Sequence, residues 1–329
     1  MASPTSRLLA DLEAQGLLPP AQAAAIAEDE RTRPFSLHYE LRALLYLGIT
    51  LLVGGVGVLI YQHIDSIGHS VIVGAITLVM SASFAYAARH QPVFTWGEAP
   101  RTAIAADYLL LLSCLLFLVL EGYLQVQYGL FGTRYGLVTV LPAGLFFGLA
   151  YRFDHRGVLS LAITALAAWV GVSVAPLAVW SSRSYSAQAF SGPALGLGLA
   201  LVAAGLASEF FDRKRHFAFT YLSLGGNVAL VAAVSRLFAD YSPAAIAWVL
   251  LVLGLCAGLG WYARRTQSYL FLLMGVGYSY IAVTCLLAMV LDASHLRDWG
   301  MFMLILYFPA TLVGIVLLFI NIKKILRLA

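Results

Sequence analysis

From residue 43 onward, polar residues fall in short clusters that separate long apolar runs. Ten such runs follow one another: Ala43–Tyr61, Val71–Ala88, Ala103–Leu124, Phe131–Tyr151, Val158–Trp180, Phe190–Glu209, His216–Ala239, Pro243–Ala263, Gln267–Leu291 and Gly300–Asn321. At 1.5 Å of rise per residue, about twenty residues of helix cross the ~30 Å hydrocarbon layer of a bilayer. The pattern predicts an all-α, polytopic transmembrane helix bundle of ten spans. Composition agrees: of 329 residues, 61% are hydrophobic and 11% charged, and mean hydropathy is +0.86. A soluble domain carries about a quarter charged residues, so an ordinary water-soluble enzyme is excluded.

Positive charge gives the bundle a direction. With ten spans, sixteen Lys and Arg side chains fall on one side and only Arg134, Arg183, Arg236 and Arg297 on the other. Short cytoplasmic loops retain Lys and Arg, which predicts both termini in the cytoplasm. The net charge of +4 therefore speaks of topology, and no soluble basic surface exists to bind nucleic acid. Cys114, Cys256 and Cys285 all lie inside apolar runs without metal-ligand or disulfide spacing, and read as small core residues.

Four inward-running segments end alike, in SFAYAAR, LFFGLAYR, LASEFFDR and GLGWYARR, each before a short polar turn. This suggests a repeated helical hairpin, and a five-plus-five inverted repeat also fits the count. Gly144 with Gly148, Gly192 with Gly196, and Gly254 with Gly258 have the small-xxx-small spacing at which helix backbones approach closely.

The first 42 residues form a separate, polar, cytosolic segment, without the basic start and single apolar core of a secretory signal. Two short helices are predicted within 4–33, the first stopped at Gly16 and the second opened by Pro19-Pro20, with residues 36–42 as an interfacial lead-in to the domain 43–329. So small a pair buries little core alone and would lean on the membrane domain or recruit a protein partner. The runs LLADLEAQGLLPPAQAAAIAEDE, LHYELRALLYLGITLLVGGVGVLIY, DYLLLLSCLLFLVLEGYLQVQYGLFGTRYGL and AYRFDHRGVLSLAI resemble a bacterial domain-of-unknown-function family of multi-span membrane proteins that open with such a helix pair. The resemblance implies a bacterial inner-membrane location and brings no activity or site residue.

Ionisable groups inside a span are costly, so each is a candidate for function. Asp107 sits near the start of the third run, where the helix dipole favours a carboxylate. Glu121 lies ~21 Å further along the same helix, where no dipole helps it, and Arg134 returns towards the same depth across a short connection. A Glu121–Arg134 contact, direct or through water, is expected, as a hairpin fastener or as a gate or substrate ligand. Near midplane the candidates are uncharged: Ser113, Asn227, Ser279 and Tyr280. The turns Arg152-Phe153-Asp154-His155-Arg156 and Asp212-Arg213-Lys214-Arg215-His216 read as a solvated loop and a loop facing anionic head groups. The chain has no HExxH, GxSxG, GxxxxGK[ST] or CxxC, so it reads as non-catalytic, with no cofactor and no metal. Binding or permeation of a small solute or of lipid, with membrane lipids as partners, is the leading expectation; a membrane scaffold that recruits a partner through the N-terminal helices is the alternative.

Overall fold

A computed structural model describes residues 12–13, 16, 18–24, 26, 38–62, 68–100, 103–174, 187–239, 245–293 and 297–326. Among the described residues there is no β-strand, and ten long helices succeed one another. They are α1 His38–Gln62, α2 His69–Arg89, α3 Ile104–Tyr128, α4 Leu137–Phe153, α5 Arg156–Val174, α6 Ala187–Phe210, α7 Ala218–Ala239, α8 Ala245–Thr266, α9 Tyr269–Ala293 and α10 Arg297–Ile325. A single 3₁₀ turn, Arg215–Phe217, precedes α7. Each predicted run overlaps one of these helices, and eight of the helices are long and apolar enough to cross a membrane. The described apolar part of α1 (Leu44–Gly55) and α4 are shorter.

The chain divides into two compact units, residues 1–59 and 60–329. In the first, Gly16 has φ +69° and its N–H donates to the Glu13 carbonyl at 3.0 Å. A new turn then starts at Pro19, whose carbonyl accepts from Gln22 and Ala23. The rest of the expected helix pair lies outside the described residues.

In the second unit, consecutive helices pack most extensively in pairs: α2 with α3, α4 with α5, α6 with α7, and α8 with α9. One buried cluster joins Ala87, Leu110, Cys114, Phe146, Ala150, Leu159, Ile163, Leu201, Phe217 and Tyr221 of α2 to α7. Another joins α7 to α8, α9 and α10 through Leu230, Leu237, Val252, Cys256, Phe271 and Leu326. Helix α7 contributes to both and is 67% buried over its span, against 44% or less for the other seven candidate spans. Outward faces are apolar instead of polar: Leu78, Leu250, Leu306 and Ile320 are all more than 60% exposed, and the span of α10 is 0% buried. Only a hydrocarbon surround makes such a surface stable.

Three hairpin turns close in the same way. Asp154, Asp212 and Gln267 all adopt positive φ. The next N–H then reaches five residues back: His155 to Ala150, Arg213 to Ser208 and Ser268 to Ala263, at 3.0–3.1 Å. This is the six-to-one bond of a Schellman cap, which ends a helix sharply and satisfies an orphan carbonyl.

The small-xxx-small expectation is overturned. Nothing lies within 4 Å of a Cβ built on Gly144, Gly148, Gly192, Gly196, Gly254 or Gly258. Close helix approach occurs instead at Gly198 and Gly225 between α6 and α7, and at Gly275, whose Cβ would sit 3.1 Å from the Cys256 carbonyl oxygen of α8. Spacing alone does not say which helix face meets a neighbour, and in these three pairs the glycine face points outward.

Candidate functional site

The residues singled out from the sequence are not drawn together. Asp107 is half-buried in the first turn of α3. Glu121 lies two turns beyond Cys114 on the same buried face, only 5% exposed, and neither carboxylate oxygen has a hydrogen-bond partner among the described residues. Its direct contact with Arg134 is not formed. The run expected to begin the fourth helix at Phe131 is a tight turn up to Gly136, with Gly129 and Gly132 at positive φ. Gln125 fastens that turn, accepting from the Phe131 N–H at 2.8 Å and donating to the Gly132 carbonyl at 2.9 Å. Arg134 is therefore in the turn and exposed, whereas Glu121 is seven residues, ~10 Å, back inside the helix. A buried carboxyl without a partner is a cost, on the order of 1–3 kcal/mol from protein substitutions. Glu121→Leu is expected to raise the melting temperature of the detergent-solubilised protein by about 2 °C or more; a fall would show that the carboxyl makes a stabilising contact.

The midplane set also disperses. The Ser113 hydroxyl donates to the Leu110 carbonyl of its own helix at 2.7 Å. Asn227 is used for helix packing: its Oδ1 accepts from Tyr278 of α9 at 2.9 Å and its Nδ2 donates to the Ser223 carbonyl at 3.0 Å. Tyr280 stacks on Tyr307 of α10 with centroids 6.1 Å apart. Ser279 donates to the Val276 carbonyl at 2.9 Å and lines a recess of about 260 Å³ between α8 and α9, otherwise formed by Leu, Ala, Val, Gly and Cys256. Ser113, Asn227 and Ser279 are hydrogen-bonded within the protein, and the four residues converge on no common space.

The two turns, one expected to be solvated and the other to face anionic head groups, are tied together. Asp154, which caps α4, accepts at Oδ1 from Lys214 Nζ at 2.7 Å and at Oδ2 from the Ala99 N–H at 2.7 Å. Lys214 is 1% and Asp154 6% exposed at the side chain. Nε2 of His216 also lies 2.7 Å from Oδ1, close in distance without hydrogen-bond alignment. The Lys214 N–H donates to the Trp96 carbonyl at 2.6 Å, its carbonyl accepts from Ser208 Oγ, and its ammonium stands over Phe94 at 5.3 Å. Lys214 has φ +51°, a left-handed conformation that costs a non-glycine residue roughly 1 kcal/mol and is held here by bonds on both sides. This pair locks the α2–α3 connection to the α4–α5 and α6–α7 turns, at what is called below the basic end. The available sequence signal was the position of Asp154 and Asp212, two acids at equivalent places in otherwise basic turns.

Two further spaces run along α6, α7 and α8. An apolar groove of about 270 Å³ is lined by Leu199, Val202 and Leu206 of α6, Leu222, Gly226 and Leu230 of α7, and Gly254, Gly258, Trp261 and Tyr262 of α8. Its rim is outward-facing: Leu199 is 39%, Leu206 44% and Trp261 64% exposed. The bare glycine face of α8 forms one wall, which is why the outward Gly254 and Gly258 leave a depression. Towards the basic end the same helices line a second pocket of about 280 Å³, with Arg156, Glu209, Arg215, His216, Phe219, Tyr262 and Thr266. Tyr262 belongs to both and donates to Glu209 Oε2 at 3.0 Å, with Arg265 3.7 Å from the other carboxylate oxygen. Among the described residues no group of three His, Cys, Asp or Glu side chains is placed to hold a metal.

Residues 10–159 match the family DUF2157, described as a predicted membrane protein. This part of the chain is thus similar to a membrane family of unknown function, as its sequence suggested. No curated protein matches the chain. The DUF2157 match ends within α5, so it takes in Glu121 and Asp154 but neither Lys214 nor the groove of α6–α8.

Proposed function

We propose that the chain is a ten-span protein of a bacterial inner membrane with both termini in the cytoplasm, and that it binds a lipid or similar amphiphile laterally in the α6–α7–α8 groove. The observation that carries this reading is the groove itself, apolar and rimmed by exposed Leu199, Leu206 and Trp261. Its volume is just under the ~300–1,000 Å³ of pockets that enclose whole small molecules, which suits one acyl chain. The basic end is the cytoplasmic one, by the retention of Lys and Arg in short cytoplasmic loops. Solute passage is the weaker reading, because Ser113, Asn227 and Tyr280 are spent on bonds and stacking within the bundle. The residues on which a scaffold role would rest lie mostly outside the described ones.

Lipid retention tests the proposal. The purified protein is expected to carry about one tightly held lipid per chain through detergent exchange, counted by native mass spectrometry. Gly258→Leu, whose Cβ meets no protein atom within 4 Å and whose side chain would occupy the groove, is expected to remove most of it. Water-soluble solutes are expected to cross proteoliposomes no faster than protein-free vesicles. Retention unchanged by Gly258→Leu, or solute flux well above that background, would overturn the reading.

A further inference from the structure

The groove and the pocket beside it differ sharply in character. From Leu199 to Leu206, helix α6 borders only apolar space, and one turn later, at Glu209, it borders a space lined by guanidinium groups. Helices α7 and α8 make the same change, from Leu222 to Ala218 and from Gly258 to Thr266. Three helices therefore carry one continuous track, apolar for ~10 Å and polar beyond it.

The charge in the polar part is unbalanced. Glu209 is its carboxylate, and that group is engaged by the Tyr262 hydroxyl at 3.0 Å and by Arg265. Arg156 is shared with Glu98 at 3.3 Å on an exposed surface, where an ion pair is worth little and exchanges readily with water. Arg215 is exposed and has no ion pair among the described residues. His216 lines the pocket as well, with its Nε2 2.7 Å from Asp154 Oδ1. Guanidinium groups bind phosphate oxygens in a fixed, forked geometry, and they sit here where a bilayer places its phosphates. An apolar track that ends in excess positive charge at the interface matches one amphiphile: an acyl chain attached to an anionic phosphate head.

We infer that the α6–α7–α8 groove is a site for an anionic phospholipid, with one acyl chain along Gly254 and Gly258 and the phosphate between Arg215 and Arg156. This rests on the reading of the groove as a lipid site and adds the head-group class and the orientation. Tyr262, bridging to Glu209 at the junction, is the place where chain gives way to head group. The orientation confines the lipid to the leaflet at the basic end.

The test compares dioleoyl phosphatidylglycerol with dioleoyl phosphatidylcholine, titrated into delipidated, detergent-solubilised full-length protein and counted by native mass spectrometry. Phosphatidylglycerol is expected to bind about tenfold more tightly, equivalent to about 1.4 kcal/mol. Arg215→Gln is expected to erase most of that preference, whereas Arg264→Gln, the same charge change outside the pocket, leaves it. Gly258→Leu and Gly254→Leu, whose Cβ atoms meet nothing within 4 Å, are expected to weaken both lipids while the protein still elutes as a single species. Equal affinities that Gly258→Leu still abolishes would overturn the head-group assignment and leave the groove as a lipid site. Affinities for both lipids untouched by either glycine change would remove the site altogether. Displacement of phosphatidylglycerol by millimolar inorganic phosphate alone would also overturn the assignment, since the acyl chain would then contribute nothing.

Discussion

Lys214→Met is expected to lower stability by about 3–5 kcal/mol, the largest loss among the single substitutions considered for this protein. The change removes the ammonium 2.7 Å from Asp154 Oδ1 and leaves a carboxylate that is 6% exposed, held by the Ala99 N–H and with His216 beside it. Pairing a buried charge repays a desolvation cost that is spent whether or not the partner is present, so losing one partner is far worse than losing both. The companion change settles the cause. Asp154→Asn combined with Lys214→Met removes both charges, and asparagine tolerates the positive φ of this cap and can still accept from the Ala99 N–H. The double variant is therefore expected to recover more than half of the loss in a thermal or denaturant titration in detergent. Because the pair is buried, raising salt to 0.5 M should leave the Lys214→Met deficit nearly unchanged. Glu98→Gln, which removes an ion pair with exposed Arg156, is expected to cost no more than about 1 kcal/mol. A Lys214→Met loss under about 1 kcal/mol would mean that the three connections at the basic end are not held by this pair.

What the sequence made legible follows from how each feature is encoded. Membrane helices are written as local hydropathy, and each predicted run does overlap a helix. Where the prediction failed, glycine decided: Gly129 and Gly132 at positive φ turned the six residues from Phe131 to Gly136 into a loop. That shortened α4 to 17 residues and carried Arg134 away from Glu121. Long-range pairing is not local. Asp154 and Lys214 are sixty positions apart, and nothing around either residue announces the other. The same is true of Asn227, whose polarity was visible in the sequence but whose partner, Tyr278 and not the neighbouring Ser279 or Tyr280, depends on how α7 faces α9. The basic character of the turn at Asp212 was legible, yet its most central charge, Lys214, points inward. Arg215, one residue on, is left to face outward.

Gly198→Ala and Gly196→Ala are expected to change stability in opposite directions, although the two glycines are separated by one residue in the same helix. A Cβ on Gly198 would lie 2.7 Å from Ala229 Cα and 2.8 Å from its Cβ, on the backbone of α7. Backbone cannot step aside as a flexible side chain can, so α6 must separate from the helix that ties both buried clusters together. Overpacking of this kind costs about 1–3 kcal/mol, and the value here is expected at the upper end. Gly225→Ala, opposite on α7, meets Leu201 Cβ at 2.7 Å and the Gly198 carbonyl at 3.0 Å and should behave in the same way. Gly196 has nothing within 4 Å, so alanine there only removes the conformational freedom of a helical glycine and gains roughly 0.5–1 kcal/mol. The contrast separates close packing from mere glycine content. Melting temperatures in one detergent, measured on the three single variants and the parent, are sufficient to read it. Losses at Gly198 and Gly225 with a gain at Gly196 place the tight α6–α7 seam on the Gly198 face. Equal losses at all three would instead make the Gly192–Gly196 stripe a packed surface, covered by another copy of the chain or by a different protein.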